Sequence, residues 1–444
     1  MKIILFTFLM FYQQLFSATD LESWIKNGKF SGNARYYYIK TINDNNSQKT
    51  SSYANAIGAN VKYQTSSLHG LKLSTSLMGT TPIELPQNID SSILGKYNGV
   101  RSGIKSNERD GFIVLGEAYA DYTNNFFDVW YGAREYKTPL INIKDVRMLP
   151  STVQGGEITL KPHNTTTFSL GYLHKFKQRT SSSYVNILKH ALGDDTKIIT
   201  GSERGYILPV GLHVKIDKFS FRLYDYYADE FLNSIYFDAH VKSKINSKNK
   251  YSLGFQYLNQ KSIGSADDYF KANPLYAGGS AIKAQAYGVK ASYTFHDSTF
   301  GIAYSNVKNN SNYHDSLVLP WDGTPLFTNT LTSSNLFQSL YAKGLRSDSI
   351  YIGGSKGIKL SYAQKYNFTG LKGFSTKLFY LRVKNDEFTK QQQDINAIVT
   401  YKLNDFSISL RGIWVKEKSS ASKDEIITQT DNFSQYRIIV NYYF

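Results

Sequence analysis

Phe433-Ser-Gln-Tyr-Arg-Ile-Ile-Val-Asn-Tyr-Tyr-Phe444, the last twelve residues, alternate in polarity. Side chains along a strand point to opposite faces in turn, so Tyr436, Ile438, Val440, Tyr442 and Phe444 share one side. Gln435, Arg437 and Asn441 share the other, with Ile439 and Tyr443 interrupting it. The first face suits lipid and the second suits water. As an edge strand of a soluble sandwich, this segment would leave five large apolar groups in need of a partner sheet. The pattern predicts an all-β chain, a transmembrane antiparallel β-barrel.

The same pattern extends back to Phe30 in segments of about ten residues, as spanning strands require. Connections alternate between short and long. Thr123-Asn-Asn125, His163-Asn164, Asp217-Lys218, Asn246–Asn249, His296–Ser298 and Asn404-Asp405 are short and carry the residues tight turns accept. Lys40–Tyr53, Thr80–Gly111, Glu135–Gly156, Lys177–Gly205, Asn259–Ala284 and Lys308–Ser349 are long. Short turns on the periplasmic side and long loops outside are the asymmetry of outer-membrane barrels. The alternating segments number roughly eighteen, enough for an aqueous bore. Asp348–Asn367 reads as one long strand kinked at Gly353-Gly354 or Gly357.

Composition points the same way. Of 444 residues, 35 are Tyr and 27 are Phe, yet only 9 are Pro. Mean hydropathy is nevertheless −0.37. Aromatic girdles outside and a polar lumen inside reconcile these values. There is no cysteine, which excludes disulfides and thiolate metal sites. Residues 1–18 read as a secretory signal peptide, with Lys2, an apolar stretch from Ile3 to Tyr12 and a small-residue finish at Ser17-Ala18. Residues 19–29 are then a short periplasmic segment and 30–444 the barrel. No later window has the ~18 consecutive apolar residues of a membrane helix.

The formal net charge is +16, a value that suggests nucleic acid until export and the scatter of cations over strands are considered. No nucleic-acid partner is expected. Outer-membrane lipid and lipopolysaccharide account for part of the charge, and a cationic lumen for small solutes accounts for more.

One connection is unlike the others. Between Pro139 and Pro150, Leu140, Ile141, Ile143, Val146, Met148 and Leu149 are too apolar to hang in water, while Lys144, Asp145 and Arg147 are charged. Such a loop needs a wall to pack on and a wet face for its charges. The inside of a wide barrel offers both.

This segment also carries a resemblance. Thr138-Pro139-Leu140-Ile141, followed by Asp145-Val-Arg147-Met148-Leu149-Pro150, resembles the third loop of the OprD family of substrate-selective outer-membrane porins. Ala133-Arg134-Glu135 stands where that family has Gly-Arg-Gln. Ser31–Tyr37, Ala56–Thr65, Gly370-Leu371 and Gln435–Tyr442 extend the similarity across nearly the whole mature chain. The resemblance implies an inward-folded third loop and a basic ladder lining the lumen, opposed by an acidic pocket. Arg35, Arg134, Arg147, Arg411 and Arg437 match the ladder by position, with Asp145 in the loop motif. Asp225, Asp229 and Glu230 are weaker acidic candidates, and parity turns Asp225 outward. Glu135 in place of Gln adds a negative charge beside the ladder.

Parity independently turns Arg35, Arg222, Lys359, Arg382, Lys384, Arg411 and Arg437 inward. An Arg facing lipid near the bilayer middle costs about 2–4 kcal/mol, so every barrel turns charges inward and one such Arg proves little. Several around one bore form a track on which a carboxylate can pass between bidentate partners. The expected function is passive diffusion of small anionic or zwitterionic nutrients: amino acids, short peptides or organic acids. Thr80–Gly111 and Lys308–Ser349 would flank the entrance, with Arg147 at the constriction. The alternative is an adhesin or structural barrel acting through its outer loops. Catalysis is not expected: the histidines lack ligand spacing, and Asp194-Asp195 and Asp267-Asp268 lack that of a calcium loop. No cofactor or metal is implied. The strand bearing Tyr436, Ile438, Val440, Tyr442 and Phe444 also resembles the C-terminal signal read by the barrel-assembly machinery. Nothing in the pattern decides whether the chain forms homo-oligomers.

Overall fold

The computed structural model describes residues 18–45, 48–84, 111–143, 145–273, 280–310, 312–331, 349–367, 370–385, 390–419 and 429–444. Residues 1–17 of the expected signal peptide, Lys144, residues 85–110 of the loop 80–111, and residues 311 and 332–348 of the loop 308–349 lie outside the described residues.

The chain opens with a helix, α1 (Ala18–Lys26). Then come β1 (Lys29–Asn45), β2 (Gln48–Gln64), β3 (Leu71–Glu84), β4 (Phe112–Thr123), β5 (Phe127–Arg134), β6 (Thr152–His163) and β7 (Thr166–Lys177). A two-residue bridge, β8 (Val185–Asn186), leads to the short helices α2 (Ile187–Leu192) and α3 (Thr196–Thr200). Next are β9 (Ile207–Ile216), β10 (Phe219–Ala228), β11 (Leu232–Lys244), β12 (Asn249–Ser262) and helix α4 (Gly264–Ala272). The last strands are β13 (Lys283–Phe295), β14 (Ser298–Val307), β15 (Ser355–Lys365), β16 (Phe374–Asn385), β17 (Lys390–Leu403), β18 (Phe406–Ser419) and β19 (Gln429–Tyr443).

Each barrel strand pairs antiparallel with the next in sequence; β7 pairs briefly with β8 at Lys175↔Asn186 and Phe176↔Val185, and along most of its length with β9. β19 pairs with β1 from Asn33↔Tyr443 to Asn45↔Asp431, which closes the ring. Eighteen strands therefore form the barrel. Closure removes the free edges that would otherwise leave backbone groups unpaired in lipid. The two-residue turns sit where expected: Asp217 and Asn404 adopt φ +49° and +48°, the left-handed geometry of tight hairpins. The stretch from Asp348 differs from the expected single kinked strand. Ser349–Tyr351 is a 3-10 turn, and β15 starts only after Gly354, whose φ of +81° breaks the extended backbone.

Outward positions are apolar and exposed, among them Ile113, Phe300, Ile302, Leu378, Leu410 and Tyr442. A surface of this kind belongs in lipid. Two segments fold into the bore. Met148 and Leu149 of the β5–β6 loop pack on Tyr37, Ile39, Ala54, Ala56, Met78 and Ile439. That contact explains why Ile439 interrupts the polar face of β19. Leu140 and Ile141 of the same loop join Leu317, Val318, Leu319, Trp321 and Leu326 from the β14–β15 connection. Full burial of a Leu or Ile stabilises by about 1.5–3 kcal/mol, so both segments have reason to stay docked.

The second inward segment corrects two expectations. Arg382 and Lys384 do not face the lumen; both are exposed on the outer side, in line with Leu378 and Tyr380. Their neighbours Leu381 and Val383 point inward, buried in the cluster that holds Leu317–Trp321. A plug of chain inside the barrel makes the inner wall apolar at that level, which inverts the usual parity.

Candidate functional site

The lumen narrows where the β5–β6 loop meets β1, β18 and β19. Arg35 on β1 is buried, and its Nη1 and Nη2 donate to Asp145 Oδ1 and Oδ2 at 2.5 and 2.9 Å. Nη1 also donates to the Arg147 carbonyl at 2.6 Å, and Nε to Asn441 Oδ1 at 2.7 Å. Arg35 therefore has its charge matched and anchors the loop. The neighbouring Tyr37 hydroxyl donates to the Val146 carbonyl at 3.0 Å.

Arg411 and Arg437 stand directly opposite each other on β18 and β19. Like charges in register destabilise a strand pair. Among the described residues their side chains hydrogen-bond neutral groups: Arg411 Nε donates to Ser409 Oγ at 3.3 Å and Arg437 Nε to Gln435 Oε1 at 2.6 Å. Arg437 Nη1 is buried without a hydrogen-bond partner. Arg147 reaches the same place from the loop, hydrogen-bonded to Tyr37, with its own Nη1 donating to the Val146 carbonyl at 3.1 Å. Burial, reinforced by the charges of Arg437 and Arg179, lowers Arg147 to about 10, which leaves it cationic at neutral pH. Arg147, Arg411 and Arg437 thus converge around Tyr37.

The other sequence-selected cations do different work. Arg134 lies over the rings of Tyr119 and Trp130 at 4.7 and 5.2 Å. It lines a cavity of about 560 Å³ with Asp121, Asp128, Glu135, Tyr136 and Glu157. Arg222 forks onto Asp238, with Nε 3.1 Å from Oδ1 and a second bond from Nη2 to Oδ2, so its charge is neutralised. Lys359 Nζ donates to the Asn329 carbonyl at 2.7 Å and ties down the second inward segment. Asp225 is exposed and accepts from Asn233 at 2.6 Å. Glu230 accepts from Ser265 N and Oγ at the start of α4, away from the cation cluster. Of the loop motif, Thr138 Oγ1 donates to the Ile141 carbonyl at 3.1 Å, turning the chain around Pro139; Pro150 is buried and accepts from Lys177 Nζ at 3.2 Å.

Glu135, just past β5, is an acid whose ionisation is displaced toward neutrality. Burial and the nearby Glu117 carboxylate raise it to about 6, against the pull of Lys62. Its backbone N–H donates to Glu117 Oε1 at 3.1 Å, and Glu117 in turn is bridged to Lys62 at 3.0 Å.

A second buried network escaped the sequence reading. Arg179 Nη1 donates to Asp322 Oδ1 at 2.5 Å, and Ser151 Oγ to Asp322 Oδ2 at 2.7 Å. Ser151 Oγ also accepts from the Arg179 N–H at 3.0 Å. These bonds lock the two inward segments together. A signal was available: Leu317-Val-Leu-Pro-Trp321 is as apolar as Leu140–Leu149 and called for the same inference.

A closed eighteen-stranded barrel, apolar outside and narrowed inside by a folded-in loop, defines a channel-forming protein of the outer membrane of Gram-negative bacteria. The model of the outer-membrane porin, OprD family, matches residues 22–444, and the chain belongs to that family. It is therefore a substrate-specific passive channel and not an enzyme. Among solved structures, Pseudomonas aeruginosa OccK9 (OpdG) aligns with TM-score 0.72 and 15% identity, covering 95% of this chain and 99% of that one. A BenF-like porin from Pseudomonas fluorescens Pf-5 aligns with TM-score 0.70 and 12% identity, over the same shares. Pseudomonas aeruginosa OpdK with vanillate gives 0.69 and 12%, again over 95% and 99%. No curated protein sequence matches the chain.

Proposed function

We propose that the channel passes small solutes bearing a carboxylate, either organic acids or zwitterions such as amino acids and short peptides. The observation that carries this reading is the Arg411–Arg437 pair, two guanidiniums in register with no described carboxylate hydrogen-bonded to either and Arg147 beside them. A transiting carboxylate relieves that repulsion and accepts bidentate bonds, and water on either side lets it leave. Asp121, Glu135 and Glu157, gathered in the cavity with Arg134, suit the ammonium end of a zwitterion. The vanillate bound by the OpdK relative, itself an aromatic carboxylate, agrees with this class. Residues 1–18 serve as the export signal in this reading, and the terminal Phe444 strand as the mark for barrel assembly.

Planar-bilayer reversal potentials and a liposome-swelling series over acidic, neutral and basic solutes test the proposal. Anion preference with fastest swelling for acids and zwitterions is expected. Equal rates for all three classes would remove the basis for a carboxylate path. The adhesin alternative draws on outer loops whose central residues lie outside the described ones, and no observation on the barrel favours it.

A further inference from the structure

The cations that left the lumen, Arg382 and Lys384, belong to a larger group on the barrel's exterior. Lys356 on β15 pairs in register with Lys384 on β16, which faces Gln391 on β17 and then Lys418 on β18. One step inward along the same face, Ile358, Arg382, Gln393 and Lys416 form a second row. Lys356, Arg382, Lys384, Lys416 and Lys418 are all exposed. The two described acids on these four strands, Asp394 and Glu417, are buried on the opposite face. Among the described residues, every charged side chain at the loop-side end of the outer face of β15–β18 is thus cationic.

A third row down, Ile302, Leu360, Tyr380, Ile395 and Trp414 align across β14–β18. The first four line an apolar groove of about 720 Å³ that also includes Phe300 and Leu378. Trp414 Nε1 donates to the Tyr436 hydroxyl at 3.2 Å, an aromatic pair of the kind that marks a membrane interface. At about 3.4 Å per residue, the cation rows stand roughly 7 and 14 Å above this apolar row. Headgroup-level cations over an acyl-sized groove, on the loop side of the membrane, match one kind of molecule: a phosphorylated, multiply acylated glycolipid of the outer leaflet.

We infer that the outer face of β14–β18 is a docking site for the lipid A portion of lipopolysaccharide. Arg382, Lys384, Lys416 and Lys418 hold its phosphates, and the groove between Ile302 and Ile395 takes an acyl chain. The lipid A phosphates also offset the like charges of Lys356 and Lys384, which stand in register on β15 and β16. This site is independent of what passes through the bore.

Native mass spectrometry of the detergent-solubilised full-length barrel, titrated with bis-phosphorylated lipid A and separately with its dephosphorylated form, tests the inference. Each surface cation strengthens attraction to an anionic lipid by about fivefold, so R382Q/K384Q/K416Q/K418Q should weaken lipid A binding about a hundredfold or more. Wild type should bind the dephosphorylated form as weakly as the variant binds lipid A, and single-channel conductance of the variant should be unchanged. The arginine-retaining K384R/K416R/K418R variant should bind like wild type. Equal binding of both lipid forms, or undiminished binding by the glutamine variant, would overturn the site. A wild-type dimer mass that the glutamine variant loses, with lipid A binding intact, would do the same and assign the face to a second copy of the chain. Should the quadruple variant not fold, R382Q and K384Q singly provide the test, each lowering affinity by a few-fold.

Discussion

Arg35 on β1 and Asp145 in the folded-in loop form a bidentate ion pair at 2.5 and 2.9 Å, with the arginine buried and the carboxylate at the edge of water. The pair turns a wall cation into a strut: the arginine that parity selects as a binding group holds the constriction in place instead. It also decides which charges remain for a solute. With Arg35 matched to Asp145 and Arg222 to Asp238, Arg411 and Arg437 face one another with no salt bridge to a described acid, joined by Arg147.

Replacing the acid of the strut separates its two roles. Asp145→Asn keeps the shape but removes the charge, leaving a buried guanidinium unmatched beside the bore. Loss of a charge-assisted hydrogen-bond pair of this kind costs about 1–3 kcal/mol, toward the lower end because Asp145 is partly exposed. Open-channel current noise should rise as the loop loosens, and anion preference should increase because Arg35 gains influence over the lumen. Unaltered noise with unaltered selectivity would mean that the loop is held by its apolar contacts with Met148 and Leu149 alone.

Arg147→Ala tests the loop's own cation. Arg147 is held by Tyr37 and backbone, with no described acid bonded to it, so its removal subtracts charge from the constriction without stranding a partner. A lost charge-assisted bond to a carboxylate corresponds to about a tenfold weaker block by a small acid. Substrate-dependent current block and the reversal potential in a salt gradient measure it. Block of wild-type strength would place the binding step at Arg411 and Arg437 without help from the loop.

Glu135 gives the channel a predictable response to pH. Its carboxyl is raised to about 6 by burial and by Glu117, so it is charged at pH 7.5 and neutral at pH 5. Acidification through pH 6 removes one negative charge near Arg134, and anion preference should climb across that interval. The same displacement means that ionised Glu135 is disfavoured in the folded barrel, so its contribution to stability falls as pH rises from 4.5 through about 6. In Glu135→Gln the step in selectivity should vanish while wild type retains it. A step of equal size in both proteins would assign the titration to another group.

The barrel itself was legible because its determinants are local. Alternation in Phe433–Phe444 needs only the strand period and a lipid boundary, and the short turns at Asp217 and Asn404 need only their own residues. The third loop was legible for a similar reason, as Leu140–Leu149 are plainly too apolar for water. What failed was parity at the loop-side end of β16, since it presumes that the inner wall is wet throughout. Leu317–Trp321 makes that wall dry by entering from a connection distant in sequence, and Leu381 and Val383 turn in to meet it. The partners of Arg35 and Arg222 were hidden for a related reason. Parity says which face a charge is on, while only the register Arg222↔Asp238 and the fold of the loop say what it touches.

The junction between the two inward segments should be the most stability-sensitive polar site in the lumen. Arg179 and Asp322 are both nearly fully buried, and Asp322 accepts from Ser151 as well. Removing one member of a buried pair leaves the other charged and unsolvated, at a cost of about 3–5 kcal/mol, whereas replacing both by apolar groups is often close to neutral. Asp322→Leu alone should therefore lower the temperature at which the folded, heat-modifiable band is lost on gels and should increase channel noise. Arg179→Met added to it should recover much of the loss, because the stranded guanidinium is gone while Leu317, Leu319 and Trp321 keep the segments packed. Costs that simply add in the double variant would show that the two residues act separately, and that apolar packing, rather than the ion pair, determines how the plug meets the third loop.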